Sequence, residues 1–124
     1  MRFAFLFAIA AAFILSSCED GRAMPGYQPR TGGVASRGAV VIVQKGCGSC
    51  HTIPGIRGAN GLVGPPLMFF GRRTMIAGEV PNTTENLVRW VRSPQSVESG
   101  TAMPNLGLTY EDARDVAAYL YTLR

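Results

Sequence analysis

Five consecutive residues, Cys47-Gly48-Ser49-Cys50-His51, concentrate most of the chemistry this chain could do. Two thiols three apart face the same side of one helical turn, and an imidazole follows at once. A structural zinc site takes four Cys or His ligands; with Cys18 set aside for the reason given below, the sequence offers only these three. A thioredoxin-like redox pair belongs in a βαβ unit, and the downstream pattern is loops and helices. A plain disulfide is disfavoured between cysteines this close. The remaining reading is C-x-x-C-H as the attachment signature of c-type haem. Cys47 and Cys50 would form thioethers with the two vinyl groups, and His51 would lie beneath the iron as proximal ligand. Gly46 and Gly48 are expected to let backbone approach the macrocycle.

The other side of the iron needs a second donor or stays open. His51 is the only histidine, which excludes a bis-histidine pair within the chain. Lys45 is the only lysine, and it leads directly into the motif. Methionine remains. Met24 precedes the domain, while Met68 and Met75 follow His51 by 17 and 24 residues, inside the loop expected on the near side. Met103 lies 52 residues on, in Thr101-Ala102-Met103-Pro104-Asn105-Leu106. An excursion of that length reaches the far face, and Pro104 stiffens the loop. Met103 is the leading distal candidate, Met68 and Met75 the alternatives, and core packing the ordinary role of any methionine. A Met/His pair leaves no open position and raises the reduction potential. One-electron exchange is then the chemistry expected; a Met103 displaced by small ligands would instead make a gas or redox sensor.

These residues must be held by a small domain. The chain has 124 residues, 47% hydrophobic and 16% charged, with 15 Gly and 8 Pro. That argues for one loop-rich globular unit which needs a staple, and covalent haem supplies one. The net charge of +4, with eleven Arg among twelve basic residues, favours acidic partners or anionic surfaces; no nucleic-acid partner is expected. Residues 1–17 read as a signal peptide: Arg2, then thirteen apolar residues from Phe3 to Leu15, short of the roughly 20 that span a bilayer. Leu15-Ser16-Ser17-Cys18 resembles a bacterial lipobox, so Cys18 is expected to carry lipid and to hold the protein at a membrane in the periplasm. Residues 18–35, rich in Gly and Pro, read as a flexible tether, and residues 36–124 as the domain. Within it, Ser36 caps a helix over Arg37–Lys45, although Val40-Val41-Ile42-Val43 favours a strand. Gly46 to Gly78 reads as loop. Asn82, Thr83 or Thr84 caps a helix with Leu87, Trp90 and Val91 on its apolar side, and Pro94 ends it. Thr109 and Asp112 form a variant capping box for a last helix with Ala113, Val116, Ala117 and Leu120 inward.

From about Ser36 to Leu123 the chain resembles the small class I cytochromes c, which implies an all-α fold of three to four helices and long loops around one covalent haem. Gly64-Pro65-Pro66-Leu67 matches the segment in which the resemblance gives Pro65 a carbonyl bonded to His51 Nδ1–H. Phe70-Gly71-Arg72 matches the stretch whose arginine lies near a propionate, Thr101 a second residue approaching a propionate, and Trp90 an aromatic lining the pocket. Pro81-Asn82-Thr83, Glu85-Asn86-Leu87, Pro94-Gln95 and Thr101-Ala102-Met103-Pro104 are similar to cytochrome c domains that work with membrane haem–copper oxidases. The resemblance implies an electron carrier rather than an enzyme, with redox proteins or respiratory complexes as partners. It serves a free shuttle and a fixed relay subunit equally well.

Overall fold

The computed structural model describes residues 30–124. The expected signal, Cys18 and the tether through residue 29, with Met24, lie outside the described residues. Three helices carry the fold: α1 (Ala35–Gln44), α2 (Thr84–Arg92) and α3 (Tyr110–Thr122). Short 3-10 turns at Cys47–Ser49, Phe70–Arg72 and Pro94–Ser96 punctuate the connections. No helix among the described residues is long and apolar enough to cross a membrane.

Packing decides α1 against its β-branched run. Gly38, Val41 and Ile42 are buried at i, i+3 and i+4, while Val40 and Val43 stay 54% and 62% exposed. A stripe of that period outweighs a weak strand propensity. Gly38 lies flush on α3: a Cβ there would meet the Asp115 carbonyl oxygen at 2.0 Å. Ser36 is not the cap. The helix starts two residues earlier, at Ala35, with Val34 at the N-cap position and no side-chain cap of its own. The physical reason comes from α3, where the buried Asp115 carboxylate accepts the Val34 N–H at 2.6 Å. Arg37 closes on the same carboxylate through Nε at 2.7 Å and Nη2 at 3.0 Å. Thr31 is buried too, and Arg114 Nε donates to its carbonyl at 2.7 Å. Thr31 and Val34 are thus both tied to α3.

Thr83 caps α2, its hydroxyl accepting from the Asn86 N–H at 3.3 Å. Leu87, Val88 and Val91 form the buried face, and Trp90 packs partly buried beside it. The Thr109–Asp112 capping box is present on α3, with both reciprocal bonds at 3.0 Å. The Thr109 hydroxyl in particular holds the Asp112 carboxyl below the usual carboxylate range. Ala113, Val116, Ala117 and Leu120 are all buried. One element was not foreseen in the Gly-rich stretch: a hairpin of β1 (Met75–Ile76) and β2 (Val80–Pro81), antiparallel, with Ile76 opposite Val80. Its turn takes Ala77 and Gly78 to φ of 54° and 77°, and buried Ile76 anchors it. Asn82, expected as a possible cap, instead donates to the carbonyls of Phe70 (3.3 Å) and Arg73 (2.9 Å). Its own Oδ1 accepts the Tyr121 hydroxyl at 3.0 Å, tying that loop to α3.

Candidate haem site

Gly46 ends α1 in the left-handed region at φ 69°, the conformation glycine adopts most readily just past a helix C-terminus. The chain then coils into Cys47–Ser49, with the N–H groups of Cys50 and His51 both donating to the Cys47 carbonyl at 3.2 and 3.0 Å. One tight turn thus carries both thiols and the imidazole. Cys47 and Cys50 are free thiols, each partly exposed. Burial above all pushes the Cys47 thiol up. The two glycines also have reasons within the protein. Gly46 is required by its backbone angle, and Gly48 by Ala59, whose Cβ lies 2.7 Å from where a Gly48 side chain would begin.

His51 Nδ1 lies 2.7 Å from the Pro65 carbonyl oxygen. A carbonyl only accepts, so Nδ1 carries the proton and Nε2 keeps a free lone pair. Pro65 is itself held in place. Gly64 N–H donates to the Cys50 carbonyl at 2.7 Å and Gly61 N–H to the Gly48 carbonyl at 3.0 Å. Thr52 hydroxyl donates to the Gly61 carbonyl at 3.1 Å, and Leu67 N–H to the Thr52 carbonyl at 2.8 Å. The imidazole also leans on Gly64, where a Cβ would stand 2.4 Å from His51 Cε1. Of the two adjacent arginines, Arg73 braces this loop, donating to the Pro66 carbonyl and, at 3.5 Å, to that of Met68. Arg72 stands exposed with its guanidinium 5.4 Å from the Phe69 ring centroid.

The three domain methionines separate by environment. Met68 and Met75 are 45% and 42% exposed, whereas Met103 packs partly buried against the core. The Met103 loop has neither helix nor strand from residue 101 to 109. Thr101 turns it, its hydroxyl accepting the Met103 N–H at 3.2 Å. Gln95 reaches in from the Pro94–Ser96 turn and donates to the Met103 carbonyl at 2.8 Å. Lys45 Nζ donates to the Leu106 carbonyl at 3.3 Å. On the opposite loop, the Tyr119 hydroxyl donates to the Pro54 carbonyl at 2.6 Å. Asp115 and Tyr119 have no signal in the sequence, and Gln95 enters only through the Pro94-Gln95 likeness; their partners lie 81, 65 and 8 residues away, beyond any local pattern.

The donor set fits haem c. Two free thiols on one turn would suit the vinyl groups, the Nε2 lone pair of His51 would suit the iron, and Met103 offers a partly buried thioether. Among the described residues no three His, Cys, Asp or Glu side chains group as a bare metal site would require. A family model described as "Cytochrome c" matches residues 35–124. The chain is 37% identical over 92 residues to cytochrome c oxidase subunit 2 of Alkalihalophilus pseudofirmus, a match covering 73% of this chain and 26% of that one. It is 35% identical over 95 residues to cytochrome c oxidase subunit 2 of Bacillus sp. strain PS3, with 73% and 26% covered. The corresponding protein of Bacillus subtilis is 31% identical over 90 residues, with 71% and 25% covered. The chain thus spans about a quarter of the length of these relatives. Three helices with a small hairpin form the small class I fold, and the family brings haem c with its iron and electron transfer as its work. On this fold, this turn and these matches, the chain belongs to the cytochrome c family.

Proposed function

We propose that this chain is a membrane-tethered, single-haem electron carrier, with thioethers at Cys47 and Cys50, His51 as proximal ligand and Met103 as distal ligand. The observation that carries the reading is the His51–Pro65 bond at 2.7 Å within the Cys-x-x-Cys-His turn. It fixes the tautomer with the proton on Nδ1 and strengthens the imidazole as a donor through Nε2. When bound, the haem supplies a one-electron iron couple. The chain's own residues do the rest. Pro65 and Gly64 orient the imidazole, Met103 supplies a weak, electron-poor donor that favours the reduced state, and the packed loops limit water.

Residues 1–17 would be removed and Cys18 would carry lipid. About a dozen residues would then act as tether before the fold begins near Thr31. Two or more acyl chains, at about 0.8 kcal/mol per buried methylene, hold a protein stably at a membrane. The setting is the bacterial periplasm. The partners proposed are respiratory redox proteins, with a cytochrome c oxidase foremost because the relatives are subunits of that enzyme. That same fact favours a second reading, a fixed relay subunit of an oxidase. Gentle affinity isolation from solubilised membranes distinguishes them: stoichiometric oxidase subunits indicate the relay, and the protein alone indicates the shuttle.

Spectra of the purified oxidised and reduced protein test the ligand set. Wild type, Met68→Leu and Met75→Leu should show the weak long-wavelength charge-transfer band of a thioether bound to ferric haem. Met103→Leu should lose it, bind carbon monoxide readily when reduced and fall in potential. Folding should survive, since Met-to-Leu swaps usually cost under about 1.5 kcal/mol. A band that persists in Met103→Leu would move the ligand to Met68 or Met75. Its absence from wild type, together with carbon monoxide binding at neutral pH, would favour a sensor.

A further inference from the structure

We infer that Gln95 is a positioning residue for Met103: its side-chain amide latches the ligand loop and sets how readily the thioether leaves the iron. The inference rests on Met103 being the distal ligand. Its structural basis is the asymmetry between a rigid base and an unladdered loop.

Gln95 sits on the Pro94–Ser96 turn, directly after α2. That turn is well anchored. Pro94 is among the most completely buried side chains. The N–H and hydroxyl of Ser96 both donate to the Ser93 carbonyl, at 3.0 and 2.7 Å. The N–H groups of Val97 and Glu98 both return to the Pro94 carbonyl at 3.0 Å. From this base the Gln95 amide spans eight residues to the backbone of Met103 itself, at 2.8 Å.

The loop has little else of that kind. Its two ends are tied, Thr101 N–H to the Glu98 carbonyl at 3.1 Å and Thr109 N–H to Asp112 of α3 at 3.0 Å. Between them Met103 N–H to the Thr101 hydroxyl at 3.2 Å and Gly107 N–H to Asn105 Oδ1 at 2.9 Å shape the loop without fastening it to the domain. Lys45 fastens it farther along, at Leu106 and a longer 3.3 Å. Among the described residues, Gln95 is the side chain outside the loop that bonds Met103 itself, so its loss should raise the population of Met-off states. A net hydrogen bond is worth roughly a three- to tenfold change in such an equilibrium.

The test measures carbon monoxide uptake by the reduced, full-length holoprotein, a rate gated by Met103 dissociation. Gln95→Leu removes the donor. Gln95→Glu keeps the shape and, ionised at neutral pH, replaces the donor with an acceptor. Gln95→Arg restores a long donor. Leu and Glu should speed uptake roughly three- to tenfold, while Arg stays near wild type. Melting temperatures should stay close together, because the side chain is exposed. Equal rates in all four proteins would overturn the inference, as would rates that follow side-chain size rather than donor ability. A wild type that lacks the charge-transfer band would overturn the Met103 assignment and this inference together. A wild type with the band and unaltered variants would overturn the Gln95 role alone.

Discussion

At the scale of single residues, the site divides into what spacing reveals and what only folding brings together. Cys47, Cys50 and His51 are legible because three-residue spacing on a turn dictates a common face. The Pro65 partner of His51 followed from a resemblance, and the structure places its carbonyl 2.7 Å from Nδ1. Gly64 carries a test. A methyl group there would start 2.4 Å from the imidazole, so Gly64→Ala should tilt the ring off Pro65, lower the yield of holoprotein and weaken the proximal bond. Full yield with an unchanged reduced spectrum would show that the ring has room to spare. Asp115 was invisible in the sequence because its partners, Val34 and Arg37, lie some eighty residues away. Arg37 above all, then the Val34 N–H, holds its carboxyl below the usual range against the cost of burial. A depressed folded pKa stabilises above the unfolded value of about 3.9 and fades as pH falls through the folded one. Asp115→Asn should therefore cost about 1–2 kcal/mol in urea unfolding at pH 7, the modest size reflecting a half-exposed, screened Arg37. The gap to wild type should shrink below about pH 4; a gap independent of pH would mean that charge is not what matters there.

At the scale of elements, the last helix was the easiest to read and the first the hardest. Thr109, Asp112 and four inward residues at helical spacing leave α3 little alternative. The run from Val40 to Val43 points by propensity to a strand; the Cys-x-x-Cys-His motif that follows argues for a helix, and contact with α3 shows why it is one. Gly38 makes that contact possible, since a Cβ would fall 2.0 Å from the Asp115 carbonyl. In an exposed helix Gly→Ala gains about 1 kcal/mol. Here Gly38→Ala should destabilise by about 1–3 kcal/mol through overpacking, seen as a lower urea midpoint with unchanged slope. A stabilised variant would show that the helices can slide apart freely. The hairpin at Met75–Pro81 escaped sequence reading for a different reason. Its strands are two residues each, too short for alternation to register, and its turn puts alanine at φ 54° where Asn or Asp is the usual sign.

At the scale of the whole molecule, the core is drawn mainly from three short helices, and a cofactor is expected to add to it. About ninety packed residues with long Gly- and Pro-rich loops make a small core, to which a covalent haem would add much of the apolar contact. The holoprotein should therefore melt cooperatively and the Cys47→Ser, Cys50→Ser double variant should be largely unfolded. Anchoring is a separate matter. The native protein should start at Cys18 and be heavier by acyl groups, and Cys18→Ala should misprocess it while leaving the haem spectrum alone. An unmodified Cys18 in the mature protein would remove the membrane tether. Covalent attachment decides most. The denatured protein, extracted in acid acetone, should keep its pigment on the polypeptide, and its mass should exceed that of the processed, acylated chain by one haem. Complete extraction of the pigment into the solvent would contradict attachment at Cys47 and Cys50.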